Sequence, residues 1–179
     1  MTARRQRPSP PAAPLVEALV EDGDWARFGR IETVAQRATL AALEAAGVDA
    51  ARCSVSVMFA DDAAVATLNQ RFRDKAGPTN VLSWPAFAIC PPEPGRPPPP
   101  PPLAPSGRTL IGDVALAAET ILREAEARGL APADHLAHLI VHGVLHLLGY
   151  DHGNEADAEL MEGLERRALA VLGVADPYA

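Results

Sequence analysis

All five histidines of this 179-residue chain fall between positions 135 and 152. His135, His138, His142 and His146 are spaced i, i+3, i+7 and i+11, which places them on one face of a helix. A lone imidazole on such a face is ordinarily a core residue. Five within so short a stretch would repeat the desolvation cost of a buried polar ring without a task to offset it. His142 and His146 stand one turn apart, a ready two-toothed chelate for a metal. Gly149 can take the left-handed conformation that stops a helix, and Tyr150-Asp151 then carries His152 back towards the same point. Three neutral imidazoles leave a fourth tetrahedral position open, as in a catalytic zinc site. The competing reading is a histidine-rich structural helix.

Residues 142–152, HGVLHLLGYDH, have the H-x3-H-x5-H spacing of the metzincin proteases, H-E-x-x-H-x-x-G-x-x-H. Gly143 stands where those enzymes have their glutamate base. A bound metal still lowers the pKa of water to about 7, but peptide hydrolysis also needs a proton delivered to a poor amine leaving group, which Gly143 cannot do. Phosphodiester cleavage needs in-line placement and positive charge on the developing phosphorane instead. That draws attention to Arg71, Arg73 and Lys75, the basic cluster in the body of the chain. The bland alternative for these three is a solvated helix end, where cations suit the dipole. His138 either orients the site from behind, contacts substrate or packs in the core. His135, at the helix start, is expected to be exposed. Asp151 either holds a ligand imidazole in its tautomer, caps the helix end or faces solvent.

These residues need a scaffold. Strands are expected over 15–21 (LVEALVE), 54–60 (SVSVMFA), NVLSWP ending at Pro85, and 109–117 (TLIGDVALA). Helices are expected over 30–46, ended by Gly47, and from Asp61 as N-cap through DDAAVATLNQRF. Others should run over AAETILREAEAR to Gly129, from Pro132 through the histidines to Gly149, and from Asn154 onward with an acidic outer face. Interspersed helices and strands predict an α/β or α+β domain in two or three layers. Residues 91–105, PPEPGRPPPPPPLAP, hold ten of the eighteen prolines. They read as an extended polyproline II excursion on the surface, a tolerated loop insertion rather than a docking segment for a proline-binding partner.

Apolar content of 48% and charged content of 22% are ordinary for a globular protein. No apolar run reaches the length of a membrane span. Residues 1–14 read as a flexible tail carrying Arg4, Arg5 and Arg7, with no signal-peptide core behind them, so the protein is expected to be cytoplasmic. Cys53 and Cys90 suit a core thiol and a loop thiol. The net charge of −7 argues against nucleic acid as a partner, yet from residue 109 onward the chain has 4 Arg and no Lys against 12 Asp plus Glu. The acidic excess is therefore remote in sequence from Arg71, Arg73 and Lys75.

Three segments together, HLIVHGVLHLLGYDH (138–152), LNQRFRDKAGPTNVLSWP (68–85) and IGDVALA (111–117), strongly resemble the YbeY family of endoribonucleases and rRNA maturation factors. The segments occur in the family's order, and the likeness runs from about residue 15 to 170. It implies one α/β (α+β) domain over 15–175, with a small mixed sheet packed by helices and a zincin-like metal-binding helix. It also implies one Zn2+ per chain on His142, His146 and His152, with Arg73 serving RNA cleavage or binding and Lys75 RNA binding. The implied activity is cleavage of single-stranded RNA in maturation of the 16S rRNA 3′ end and in ribosome assembly and quality control. The implied partners are rRNA and the small ribosomal subunit, with a small-subunit ribosomal protein and an assembly GTPase. Asp74 stands where the family usually has glycine, and Ala76 where it often has an acidic residue. The alternatives are a non-catalytic assembly factor with a structural zinc, and a metalloprotease-like hydrolase that recruits its base from elsewhere.

Overall fold

Runs of β-branched residues form the sheet: Val16–Val20 (β1), Cys53–Ala60 (β2), Val81–Pro85 (β3) and Thr109–Ala117 (β4). A computed structural model describes residues 14–90 and 92–179, so the tail expected over 1–14 lies, but for Pro14, outside the described residues. The strand order is β1-β2-β4-β3. β1 and β4 run parallel to β2, while β3 pairs antiparallel with β4 from Val81↔Leu116 to Pro85↔Gly112. β3 is therefore an edge strand, and Pro85, lacking a ladder donor, sits at its end where that lack costs little.

Five α-helices complete the single α+β domain among the described residues: Ile31–Ala45 (α1), Asp62–Arg73 (α2), Ala118–Arg128 (α3), Pro132–Leu147 (α4) and Glu155–Leu172 (α5). Their starts follow from local chemistry. Asp61 accepts the backbone N–H of Ala64 at 2.8 Å, and Asn154 accepts that of Asp157 at 3.0 Å, each satisfying an orphan donor of the first turn. Pro132 opens α4, where its missing N–H is not needed.

Alternation along the strands divides the core in two. Val114 and Leu116 of β4 pack with Ala38 and Leu43 of α1, Ile140 and Val144 of α4, and Leu164 of α5. Ala115 and Ala117 face the other side, where Val65 of α2 and Leu82 of β3 join them. Helices α1, α4 and α5 thus cover one face and α2 the other. α4 carries four histidines, two valines and one glycine, all modest or poor helix formers, so packing has to sustain it. Leu136, Ile140, Val144 and Leu147 are each fully buried. At roughly 1.5–3 kcal/mol for each such side chain, they outweigh the cost of about 1 kcal/mol that a mid-helix glycine carries.

The proline-rich insertion has no regular structure over 92–105, in keeping with the sequence, but it is no free excursion. The Gly95 N–H donates to Asp157 Oδ1 at 2.7 Å, Pro101 is buried, and Leu103 packs on the main core. Pro98 lies so near Gly149 that a Cβ there would stand 3.2 Å from it. The insertion is laid along the α4–α5 turn because apolar prolines cover the end of α4. Cys53 is buried and Cys90 exposed, both as free thiols.

Candidate metal centre

α4 presents its histidines as a row, and the turn after it brings the third imidazole round. The ring centroids of His142 and His146 are 4.5 Å apart, and His152 lies 5.5 Å from the first and 5.2 Å from the second. One ring nitrogen from each of the three falls within 4.8 Å of the others. Gly149 makes this possible, with a φ of 95° that a residue bearing a Cβ rarely adopts. The turn is closed by the Tyr150 N–H, which donates to the Leu145 carbonyl at 3.1 Å.

Hydrogen bonds fix which nitrogens are free. His146 Nδ1 lies 2.9 Å from the Tyr150 carbonyl oxygen, which can only accept, so Nδ1 carries the proton. His142 Nδ1 lies 2.7 Å from Glu165 Oε1 on α5. Glu165 is 1% exposed. Burial would raise its pKa, but hydrogen bonds from His138, His142 and Tyr178 outweigh burial and hold it at about 2. An ionised carboxylate accepts, so His142 also donates from Nδ1. Burial, with the nearby His142 and His152 rings adding to it, lowers His146 to about 4, which keeps it neutral at pH 7. The two Nε2 atoms then face each other at 3.0 Å. Two nitrogens on one tetrahedral zinc, with bonds of about 2.0–2.1 Å, would stand about 3.3 Å apart. Converging imidazole Nε2 atoms, with their far nitrogens already committed, fit a zinc ion. His142, His146 and His152 would hold it.

Gly143, where the spacing alone would have asked for a glutamate, is packed against the sheet. A Cβ at this position would lie 3.2 Å from Val114 Cγ1 and 3.4 Å from Val81 Cγ2. The glycine lets α4 approach β4 and β3, and a side chain there would point into the core rather than towards the histidines.

The remaining expected residues are placed as follows. His138 lies 3.4 Å from Glu165 Oε2, so it touches the carboxylate behind His142. Asp151 is exposed and accepts the backbone N–H of His152 at 2.8 Å; the acceptors for the ligand imidazoles are Glu165 and the Tyr150 carbonyl. His135 is not exposed as expected but 3% accessible, and α3 lies against it through Glu124. Its Nε2 lies 2.8 Å from Glu124 Oε2, and burial lowers its pKa against the opposing pull of that carboxylate. Glu165 itself was hidden in an apparently acidic outer face. The signal was its position beside Leu164 and between Met161 and Ala168, on the apolar stripe of α5, where a carboxylate needs a partner.

Arg71, Arg73 and Lys75 are exposed at and just beyond the last turn of α2. Asp74 has the left-handed conformation, φ 52°, that ends this helix. Asn69, buried in α2, donates from Nδ2 to the Gly77 carbonyl at 2.9 Å and ties the basic segment down. Phe72 meets Trp84 of β3 edge-on, with centroids 5.7 Å apart. The basic segment therefore sits beside the β3 edge on the face opposite α4. On the α4 side of that edge, a cavity of about 490 Å³ is bordered by Asn80, Glu124, His135, His138, His142 and Tyr178.

A family profile described as "Endoribonuclease YbeY" matches residues 21–173. The Endoribonuclease YbeY of Ruegeria pomeroyi is 47% identical over 163 residues, 91% of this chain and 97% of its own length. That of Cereibacter sphaeroides is 51% identical over 166 residues, 92% of this chain and 99% of its own. The solution structure of TM1509 from Thermotoga maritima superposes with a TM-score of 0.50 at 19% identity, covering 92% of this chain and 99% of that one, and so shares the fold. By profile, by identity over nearly its whole length and by three histidines converging at the end of a helix, the chain belongs to the YbeY endoribonuclease family.

Proposed function

We propose that the protein is a zinc-dependent endoribonuclease that cuts single-stranded RNA during maturation of the 16S rRNA 3′ end and in ribosome assembly and quality control. The observation that carries this reading is the Nε2 atoms of His142 and His146 facing one another beside His152, with no carboxylate base at Gly143. A zinc ion held by His142, His146 and His152 would supply a Lewis acid and a water of pKa about 7. The chain's residues do the rest. Glu165 and the Tyr150 carbonyl hold the His142 and His146 rings in the tautomer that presents Nε2. Burial keeps His146 neutral so that it binds a cation rather than a proton. His152, on the exposed turn, leaves the centre open to a polymer.

Arg73 steadies charge on the phosphate, and Lys75 contacts the RNA backbone, across the β3 edge from the histidines. Both are exposed, and no ion pair or side-chain hydrogen bond engages either among the described residues. The partners in this reading are rRNA in the small subunit, a small-subunit ribosomal protein and an assembly GTPase, in the cytoplasm. No described helix is long and apolar enough to cross a membrane. The test is cleavage of a single-stranded rRNA precursor by purified protein with its zinc content measured in parallel. Arg73→Ala should abolish cutting while leaving metal content intact. Cutting that survives both Arg73→Ala and chelation would sink the nuclease assignment.

A further inference from the structure

The segment that follows α5, residues 174–179, returns to the metal helix. Asp176 Oδ2 lies 3.3 Å from Arg166 Nε, and its Oδ1 accepts the backbone N–H of Tyr178 at 2.9 Å. Arg128 donates to the Pro177 carbonyl at 3.3 Å. These contacts set the Tyr178 ring between two neighbours: the Arg166 guanidinium lies over it at 4.9 Å, and the His138 ring meets it edge-on at 6.0 Å. Its hydroxyl donates to Oε2 of Glu165. The other oxygen of that carboxylate, Oε1, is the acceptor for His142 Nδ1.

We propose that Tyr178 is a positioning residue of the metal centre, acting through Glu165 to fix the His142 imidazole. A buried carboxylate can rotate about its terminal torsion, and each oxygen needs its own partner to hold one setting. Tyr178 occupies Oε2 and leaves Oε1 to face His142. His138, the other group near Oε2, stands at 3.4 Å, a long and therefore weaker hydrogen bond. Tyr178 is also raised above its ordinary pKa, first by burial and then by Glu165, so its hydroxyl stays a donor at neutral pH. Segment, carboxylate and imidazole form one chain of contacts from the domain's rim to the candidate metal ligand. A residue outside all three family-like motifs thereby tunes the site.

This inference rests on the metal-centre reading above, and the experiment separates the two. The full chain and its Tyr178→Phe variant are stripped of metal, checked for equal thermal unfolding, and titrated with Zn2+ against a chromogenic chelator and with Co2+ by visible absorption. Loss of such an outer hydrogen bond typically weakens metal binding by about 10–100-fold. Tyr178→Phe should therefore bind Zn2+ about tenfold more weakly and shift the Co2+ d–d bands. Asp176→Ala, which only loosens the segment, should give a smaller change in the same direction. Identical affinity and identical Co2+ spectra in wild type and Tyr178→Phe would overturn the positioning role and leave the metal centre standing. No Zn2+ binding by the wild type would overturn both. If Tyr178→Phe proved less stable without metal, an unchanged Zn2+ affinity in Asp176→Ala would likewise count against the role.

Discussion

His142 and His146 turn their Nε2 atoms towards each other at 3.0 Å while their Nδ1 atoms are spoken for by Glu165 and the Tyr150 carbonyl. The two Nε2 atoms are placed to share one cation. Replacing one partner should therefore empty the site without dismantling the fold. His146→Ala should retain its circular-dichroism spectrum, bind less than a tenth of the wild-type zinc, and lose RNA cleavage by at least about 100-fold. Full zinc content in this variant, measured by atomic emission, would remove His146 from the ligand set.

Glu165 is the acceptor that a sequence reading would not have chosen. Glu165→Gln keeps the shape but exchanges a carboxylate for an amide that accepts through one oxygen only. Zinc affinity should fall about 10–100-fold. Stability of the metal-free protein should fall by about 1–3 kcal/mol, because buried donors lose a charged acceptor. Urea unfolding and chelator competition measure the two effects separately, and an unchanged affinity would assign Glu165 to packing alone.

Restoring the protease spelling should not restore a protease. In Gly143→Glu the new side chain starts 3.2 Å from Val114 and is directed at the sheet. Overpacking of this kind costs about 1–3 kcal/mol, and the carboxylate adds its own burial penalty. The expected variant is destabilised, visible as a lowered unfolding midpoint, and has no peptidase activity. A stable variant that hydrolyses casein would contradict the packing seen at this helix–sheet contact.

His135 gives a pH signature. Burial lowers its pKa in the folded state below the ordinary 6.5. Below pH 6.5 the unfolded chain therefore takes up a proton there that the folded chain does not. Stability rises with pH wherever the unfolded state holds more protons, so it is lost as pH falls from 6.5 towards the folded-state pKa, and the loss levels off below that. The metal-free protein should show a falling urea midpoint between pH 7 and pH 5. His135→Gln should flatten part of that slope, and equal slopes in the two proteins would place the pH dependence on other groups.

Much of the scaffold was legible because its signals are local. The Asp61 and Asn154 caps, the alternating SVSVMFA strand and the stops at Gly47, Gly129 and Gly149 act through neighbours in sequence, and each element begins or ends within about two residues of its expected place. The convergence of His142, His146 and His152 follows from helical spacing plus one left-handed glycine. What stayed hidden depends on contacts between distant segments. Glu165 stands 23 residues from His142 and looked like one more acidic residue on α5. His135 is buried against Glu124 of α3, which spacing along α4 cannot reveal. The proline run reads as an excursion until Gly95 is seen bound to Asp157, 62 residues away.

The placement of α2 and α4 on opposite faces of the sheet, meeting round the β3 edge, constrains the shape of any polymer that touches both. A strand engaged by both Arg73 and the histidine centre has to bend round the β3 edge. A double helix, stiff over about 150 base pairs, resists that curvature, whereas an unpaired strand adopts it readily. Selection for unpaired RNA would then arise from the bend the scaffold imposes, with no base contact required.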